Sequence, residues 1–233
     1  MALIFVTGTS TGLGLSTATV LAADGHDVVV HARTAARIPT GPWSGTVIGD
    51  LADQAQTIDV AHAANAYGRF DAVIHNAGAL RAPEAVPVNT LAPYILTAVM
   101  ITPGRLIYLS SSMHRDGSTD LTGLGSGMGS YSDSKLWVTA LSAAVATRWE
   151  GTRSHAVDPG WVPTRMGGAG APDDLVEGHR TQVRLATDPD VTPQTGGYWH
   201  HQQTQKPAAA VHDPLFQAEL LATLAERTGL ALP

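Results

Sequence analysis

A phenol and an ammonium four residues apart, in Tyr131-Ser-Asp-Ser-Lys135, fall on one face of any helix that begins there. A free tyrosine titrates near pH ~10, too high for a useful acid or base at neutrality, and a neighbouring cation lowers that value by stabilising the phenolate. Lys135 is that cation, so the pair predicts general acid–base chemistry. Upstream, Arg105-Leu-Ile-Tyr-Leu-Ser-Ser-Ser112 ends in three adjacent hydroxyls, one of which can hydrogen-bond a substrate oxygen and orient it. A third constellation lies near the start, in Thr7-Gly-Thr-Ser-Thr-Gly-Leu-Gly14. There Gly8, Gly12 and Gly14 allow backbone amides and a helix N-terminus to approach a pyrophosphate closely. Their spacing departs from the general G-x-G-x-x-G fingerprint. The histidines predict no metal site: His200 and His201 are adjacent, so on a strand their rings face opposite sides, and no carboxylate pattern joins them to His212.

The elements that must hold these groups alternate along the chain. Ala2 to Val6 is a continuous apolar run, as expected of a strand buried on both faces of a parallel sheet. Apolar residues recur at helical spacing from Leu13 to Ala23, Asp24-Gly25 stops that helix, and Val28 to Val30 is the second strand. Strands then follow at Thr46–Ile48, Phe70–Ile74 and Arg105–Leu109, with helices over Ala52–Tyr67 and Leu91–Met100 between them. A loop from Ser112 to Ser130 leads to a long amphipathic helix over Tyr131–Trp149 and a sixth strand at Ser154–Val157. Pro159 to Pro172 reads as a mobile Gly/Pro-rich loop, followed by a short strand near Gly197–His200 and a terminal helix over Pro214–Arg227. The pattern predicts an α/β fold: one Rossmann-type, doubly wound parallel sheet with helices on both faces, spanning residues 1–233 as a single domain.

Composition narrows the partners. With 233 residues, 44% of them hydrophobic, the chain can bury a full core without staples. A formal charge of -6, scattered along the sequence, provides no basic stripe for nucleic acid or an anionic membrane. The absence of cysteine excludes a disulfide framework, a thiolate nucleophile and a cysteine metal site. The apolar start is too short for a membrane span and runs straight into the glycine turn, so a soluble, unprocessed, cytoplasmic chain is expected.

Thr-Gly-x-x-x-Gly-x-Gly, Asn76-Ala77-Gly78, the strand-end serines, Tyr131-x-x-x-Lys135 and Asp158-Pro-Gly-Trp-Val-Pro-Thr164 occur in the order found in the short-chain dehydrogenase/reductase family, which the whole chain resembles. The resemblance implies hydride transfer between a nicotinamide cofactor and a small carbonyl or alcohol. Tyr131 would be the general acid/base, and Lys135 would also hold the nicotinamide ribose. Ser111 would orient the substrate oxygen, with Ser110 and Ser112 open by a one-residue slip. Asn89 would hold a water of the proton relay, though it also suits a helix start. The implied cofactor contacts begin with Gly8, Ser10, Thr11, Gly12, Leu13 and Gly14 on the glycine turn. Asp50 and Leu51 would lie against the adenine, although Asp50 could equally cap the next helix. Asn76, Ala77 and Gly78 would lie beside the cofactor, and Pro159, Gly160, Val162 and Thr164 would receive the nicotinamide amide. At the end of the second strand Ala32 stands where an acid would read the ribose hydroxyls, and Arg33 follows it. An arginine pairs with a 2′-phosphate, so the resemblance implies NADP(H) over NAD(H), with Thr34 as a further phosphate contact.

Departures from the family qualify this reading. Thirteen positions separate Asn76 from Asn89, a shortened stretch in which Pro83 and Pro87 predict a loop and which leaves a homo-oligomer's dimer face open. Twenty positions separate Ser111 from Tyr131, a lengthened stretch whose Ser-Ser-Met-His-Arg-Asp-Gly resembles the retinol-dehydrogenase-like branch. A longer loop could cover a larger pocket for a bulky or apolar substrate, with Trp161 and Met166 lining it. His75 replaces a family Asn and is expected to be neutral and satisfied by backbone; His114 could touch substrate, but a surface position is the expectation. Two other functions remain: a catalytically silent NADP(H)-sensing protein on the same fold, and a nucleotide-sugar epimerase or dehydratase, for which the chain is short.

Overall fold

The computed structural model describes residues 1–233. Its eight strands are β1 (Leu3–Val6), β2 (Asp27–Ala32), β3 (Gly45–Ile48), β4 (Ala72–His75), β5 (Arg105–Leu109), β6 (Arg153–Asp158), β7 (Tyr198–His200) and β8 (Gln203–Gln205). They form one sheet in the order β3-β2-β1-β4-β5-β6-β7-β8, parallel throughout except for the antiparallel β7–β8 pair. The helices are α1 (Gly12–Ala23), α2 (Gln54–Asn65), α3 (Ala92–Val99), α4 (Thr122–Ser126), α5 (Tyr131–Arg148), α6 (Leu175–Thr187) and α7 (Pro214–Thr228).

The apolar strands are buried on both sides because alternate residues feed different layers. Phe5, Val29, Val73, Leu106 and Tyr108 enter the core under α2, α3, α5 and α7. Ile4, Val6, Val28, Val30, Ile74 and Ile107 enter the other, under α1 and α6. The chain order reverses between β1 and β4, which opens a crevice beyond their C-terminal ends, the place where such sheets bind ligands. No helix is long and apolar enough to cross a membrane.

Several expectations change. Phe70 is buried, but β4 begins only at Ala72, because the Asp71 carboxylate takes the Leu3 N–H at 2.8 Å. Asp53, not Asp50, caps α2 by accepting the Gln56 N–H. The stretch before Asn89 is not all loop: a π-helical turn, Pro87–Leu91, runs straight into α3. The 112–130 connection holds a 3₁₀ turn at Ser112–Asp116 and the short α4. Helix α5 is not amphipathic, since every residue from Ser134 to Val145 is buried between β5, β6, α7 and the turns around it. Helix α6 and strand β8 were not anticipated.

Two imidazoles sealed in the sheet make stability depend on pH. On β6, His155 Nδ1 accepts the Gly197 N–H at 3.2 Å and the Trp199 indole N–H at 3.1 Å, so Nε2 carries the hydrogen toward the Gln194 carbonyl. Burial holds His155 at about 4 and His75 at about 3. Unfolded, each titrates near ~6.5. Between the folded and unfolded values the unfolded chain binds more protons, so stability is lost as pH falls through that window. At pH ~5 the two together should cost on the order of 4 kcal/mol relative to pH ~7. Urea unfolding across that range should show a steady decline. A constant free energy down to pH ~5 would contradict neutral burial of these rings.

Candidate active site

The glycine turn is held from both neighbouring strands. Thr7 N–H donates to the Ile74 carbonyl at 3.0 Å, and the Thr7 hydroxyl accepts the N–H groups of Asn76 and Ala77, each at 3.0 Å. Asn76 Nδ2 donates to the carbonyls of Thr7 at 2.9 Å and Gly8 at 3.3 Å, which leaves its buried Oδ1 without a partner. Gly8 and Gly12 adopt φ of 70° and 63°, in the left-handed region, and a Cβ at Gly14 would collide with Asn76 Nδ2 and the Gly8 carbonyl oxygen. The N-terminus of α1 has no side-chain cap and no acid in its first turn, so its amides remain open to an anion.

Above this turn lies a cleft of about 820 Å³. The glycine-turn residues Gly8, Ser10, Thr11, Gly12, Leu13 and Gly14 form its floor. Arg33, Asp50 and Leu51 line one end, and Asn76, Ala77 and Gly78 the middle. Tyr131, Lys135, Pro159 and Thr164 line the other end. Arg33 is 46% exposed and stands 3.9 Å from Asp50 and 3.8 Å from Glu84, with Ala32 buried behind it.

At the far end, Ser130 caps α5 by accepting the Asp133 N–H while the Asp133 carboxylate accepts the Ser130 N–H. This capping box fixes the first turn that carries Tyr131. Lys135, one turn on, is 4% exposed; its Nζ donates to the Leu109 carbonyl at 2.8 Å and lies 5.5 Å from the centre of the Tyr131 ring. Burial draws the ammonium down to about 8 against the opposing pull of Asp158. The phenol moves the other way from the sequence expectation. Burial raises it, hydrogen bonding with the Ser111 hydroxyl opposes that rise, and the Asp158 carboxylate adds to it. Desolvation wins because Lys135 is itself buried and bonded to Leu109 rather than to the phenol.

The three serines have different surroundings. Ser110 is buried, with its hydroxyl 2.6 Å from Thr139 Oγ1, which in turn donates to the Lys135 carbonyl. Ser111 faces the phenol, and Ser112 is exposed at the start of the 3₁₀ turn. Asn89, in the π-helical turn, does not line the cleft. Its Nδ2 donates to the Ala79 carbonyl at 2.8 Å and to the Ser134 hydroxyl at 2.9 Å, and its Oδ1 accepts the Ala79 N–H at 2.8 Å. The side chain therefore braces the strand-end segment beside Gly78, whose missing Cβ would lie 3.9 Å from Lys135 Nζ.

A family model described as short chain dehydrogenase matches residues 2–174. The chain belongs to that family. Such enzymes are oxidoreductases that bind a nicotinamide cofactor and act on small molecules. This short-chain dehydrogenase is 35% identical to the short-chain dehydrogenase chyC of Penicillium rubens, over 100% of each chain. It superimposes with a TM-score of 0.83 on an uncharacterised protein from Mycobacterium paratuberculosis, at 22% identity and covering 100% of this chain and 95% of the other. A Shigella flexneri 2a protein described as a short-chain dehydrogenase and complexed with NADP shares the fold, with a TM-score of 0.69 at 23% identity over 87% of this chain and 97% of its own.

Not every residue expected in this dehydrogenase's cleft reaches it. Gly160, at φ 82°, gives its N–H to Asp158 Oδ1 at 3.0 Å, and Val162 is buried against Gly178 of α6, so both support the loop from behind. Thr164 packs its methyl against the glycine turn, 3.1 Å from a Cβ placed at Gly12. Met166 lines the cleft, but Trp161 is 61% exposed and its indole N–H is bound to the Gly167 carbonyl of its own loop.

The histidines also differ from expectation. His75 has no backbone partner: it stacks on Tyr108 with ring centres 4.6 Å apart, and its Nδ1 is unpaired. His114 is buried, not on the surface. His200 and His201 do not face opposite sides. Their rings stack at 3.8 Å because His201 leaves the strand at φ 44°. Sequence reasoning missed His31, whose Nδ1 accepts the Gly8 N–H at 3.1 Å and whose Nε2 meets the Gly49 carbonyl at 2.9 Å. It also missed Asp158, whose buried carboxylate accepts the Tyr198 hydroxyl at 3.1 Å. Asp158 stood inside a motif already noted, while His31 preceded the Ala32-Arg33 pair.

Proposed function

We propose that this chain is an NADP(H)-dependent oxidoreductase that interconverts a carbonyl and a secondary alcohol, with residues 1–233 acting as one catalytic unit. The observation that carries this reading is the meeting of Tyr131 and Lys135 at one end of a cleft whose other end presents Arg33, with Ser110 in the lining and Ser111 beside the phenol. The open α1 N-terminus, the glycine cradle and the unpaired Asn76 Oδ1 fit the pyrophosphate and ribose of a dinucleotide. Bound NADPH supplies the hydride.

The protein's own contribution is to place and protonate the oxygen. The Ser111 Oγ accepts the Met113 N–H at 3.3 Å, so its O–H is the donor on the phenol side and would turn to a substrate oxygen bound between the two hydroxyls. The Tyr131 phenol, held neutral by burial, donates its proton to the same oxygen during reduction. The Lys135 ammonium stabilises the phenolate left behind and is placed to hold ribose hydroxyls. Asn89 keeps Lys135's surroundings in place by bracing Ala79. Leu80 and Met166, both exposed and lining the cleft, favour a bulky apolar carbonyl as substrate.

Arg33 sets the cofactor preference. Its guanidinium lies between Asp50 and Glu84, at distances too long for strong pairing, and can turn to a 2′-phosphate. A lost charge-assisted pair of ~1.5–3 kcal/mol corresponds to roughly 10- to 100-fold. Arg33→Ala should therefore raise KM for NADPH by about that factor and leave KM for NADH within about threefold. Steady-state kinetics with both cofactors provide the check. A wild-type preference for NADH, or equal changes in both KM values, would overturn the assignment.

A further inference from the structure

The lengthened 112–130 connection contributes a histidine that the mechanism above does not use. His114 is 0% exposed, and both of its ring nitrogens are bonded: Nδ1 lies 2.7 Å from the Ser111 carbonyl, and Nε2 lies 2.9 Å from the Ala208 backbone nitrogen. A backbone N–H can only donate, so Nε2 is the acceptor and carries no hydrogen. Nδ1 therefore carries it and donates to Ser111. The Ser111 carbonyl also accepts the backbone N–H of His114 at 3.0 Å, so one residue grips it twice.

The ring is itself packed in place. It tilts against Tyr198 with ring centres 4.7 Å apart, and the Tyr198 hydroxyl is anchored on Asp158. Arg115, the next residue, sits 5.8 Å from the centre of the same Tyr198 ring and donates to the Lys206 carbonyl. Two consecutive side chains thus tie the segment after β8 to the turn that carries Ser111. Burial holds the imidazole below its usual range, in keeping with a neutral ring.

We propose that His114 is a positioning residue for Ser111: as the neutral Nδ1–H tautomer it clamps the Ser111 carbonyl to the segment at Ala208, and so fixes the serine hydroxyl opposite the Tyr131 phenol. This rests on the oxidoreductase reading, because the serine's orientation matters only if it meets a reacting oxygen. A misplacement of that oxygen by about 1 Å can cost on the order of 100-fold in rate.

Two variants separate the two bonds. Asn carries an amide group where Nδ1 lies, so His114→Asn keeps a donor for the Ser111 carbonyl and loses Ala208. Gln places its carbonyl near Nε2, so His114→Gln keeps the acceptor for Ala208 and loses Ser111. The expected result is a kcat about 10- to 100-fold lower for His114→Gln and within about threefold of wild type for His114→Asn, with the Kd for NADPH unchanged in both. Equal kcat values for the two variants, or a loss of NADPH affinity matching the loss of kcat, would overturn the proposal. Imidazole ¹⁵N spectra of the wild-type protein test the tautomer without any turnover. Protonated Nδ1 and bare Nε2 at neutral pH are expected, and the reverse tautomer refutes the clamp whether or not the oxidoreductase reading stands. An inactive wild type with the expected tautomer would refute the oxidoreductase reading and, with it, the role given to the clamp.

Discussion

Tyr131→Phe should lower turnover by about a thousandfold while leaving the Kd for NADPH within about twofold of wild type, as read by steady-state kinetics and fluorescence titration. General acid–base groups contribute roughly 10²- to 10⁴-fold, and the phenol lines the cleft beside Lys135 with its hydroxyl against that of Ser111. Removing one oxygen leaves the ring, and with it the packing beside Lys135 Nζ, 5.5 Å from the ring centre. The capping box of α5 involves Ser130 and Asp133 and does not use the hydroxyl. The variant should therefore fold and bind as wild type does. Turnover within tenfold of wild type would remove Tyr131 from the proton-transfer step, and loss of NADPH binding would mean that the hydroxyl serves the cofactor instead.

Gly14→Ala should act at the opposite end, on binding. A Cβ there meets the Asn76 amide and the Gly8 carbonyl, and neither can withdraw freely. Asn76 Nδ2 holds Thr7 and Gly8, while Gly8 is tied to His31. The turn must open, which displaces the amides that would receive the pyrophosphate. Overpacking of this kind costs about 1–3 kcal/mol in stability, or several degrees in Tm for a domain of this size. The Kd for NADPH should rise by about 100-fold as the cradle loses its geometry. Gly125→Ala, in α4 with open space around its missing Cβ, is the matched control and should change neither quantity. Normal NADPH affinity in Gly14→Ala would show that the turn does not hold the dinucleotide.

Local sequence signals were legible wherever a pattern had only one structural use. The unbroken apolar runs of β1, β2 and β5 could only be strands buried on both faces, and the glycines from Gly8 to Gly14, where β1 passes into α1, marked a close turn. The same holds for Tyr131 and Lys135, whose common face follows from helix geometry alone. Helix α6 was obscure because its buried face carries Gly178, His179, Thr181 and Gln182 in place of apolar residues; its usable signal was Asp174, which caps it, followed three residues later by Glu177. Strand β8 has no apolar residue at all and exists because the His201–Gln202 turn, at φ 44° and 65°, folds it back on β7.

What could not be read locally was burial, and burial decides the electrostatics. A lysine four residues from a tyrosine lowers the phenol's pKa in water, but here both are enclosed and desolvation reverses the sign. His114 looked like a surface residue because nothing near it in sequence reveals that Tyr198 and Ala208 close over it. The stacked His200 and His201 depended on a backbone angle that the strand pattern hid. Among Ser110, Ser111 and Ser112, sequence spacing left the choice open, whereas their partners differ: Thr139 for Ser110, the phenol for Ser111, solvent for Ser112.

The central claim is that this cleft moves a hydride between NADP(H) and a carbonyl carbon. The most direct test is to incubate the enzyme with NADPH deuterated at the transferable C4 position and a panel of bulky apolar ketones and aldehydes, and then to locate the label by mass spectrometry. Deuterium on the carbinol carbon of at least one product, lost in Tyr131→Phe, is the predicted result. Tight NADPH binding with no label transferred to any member of the panel would contradict it and would favour a silent cofactor-binding protein on the same fold.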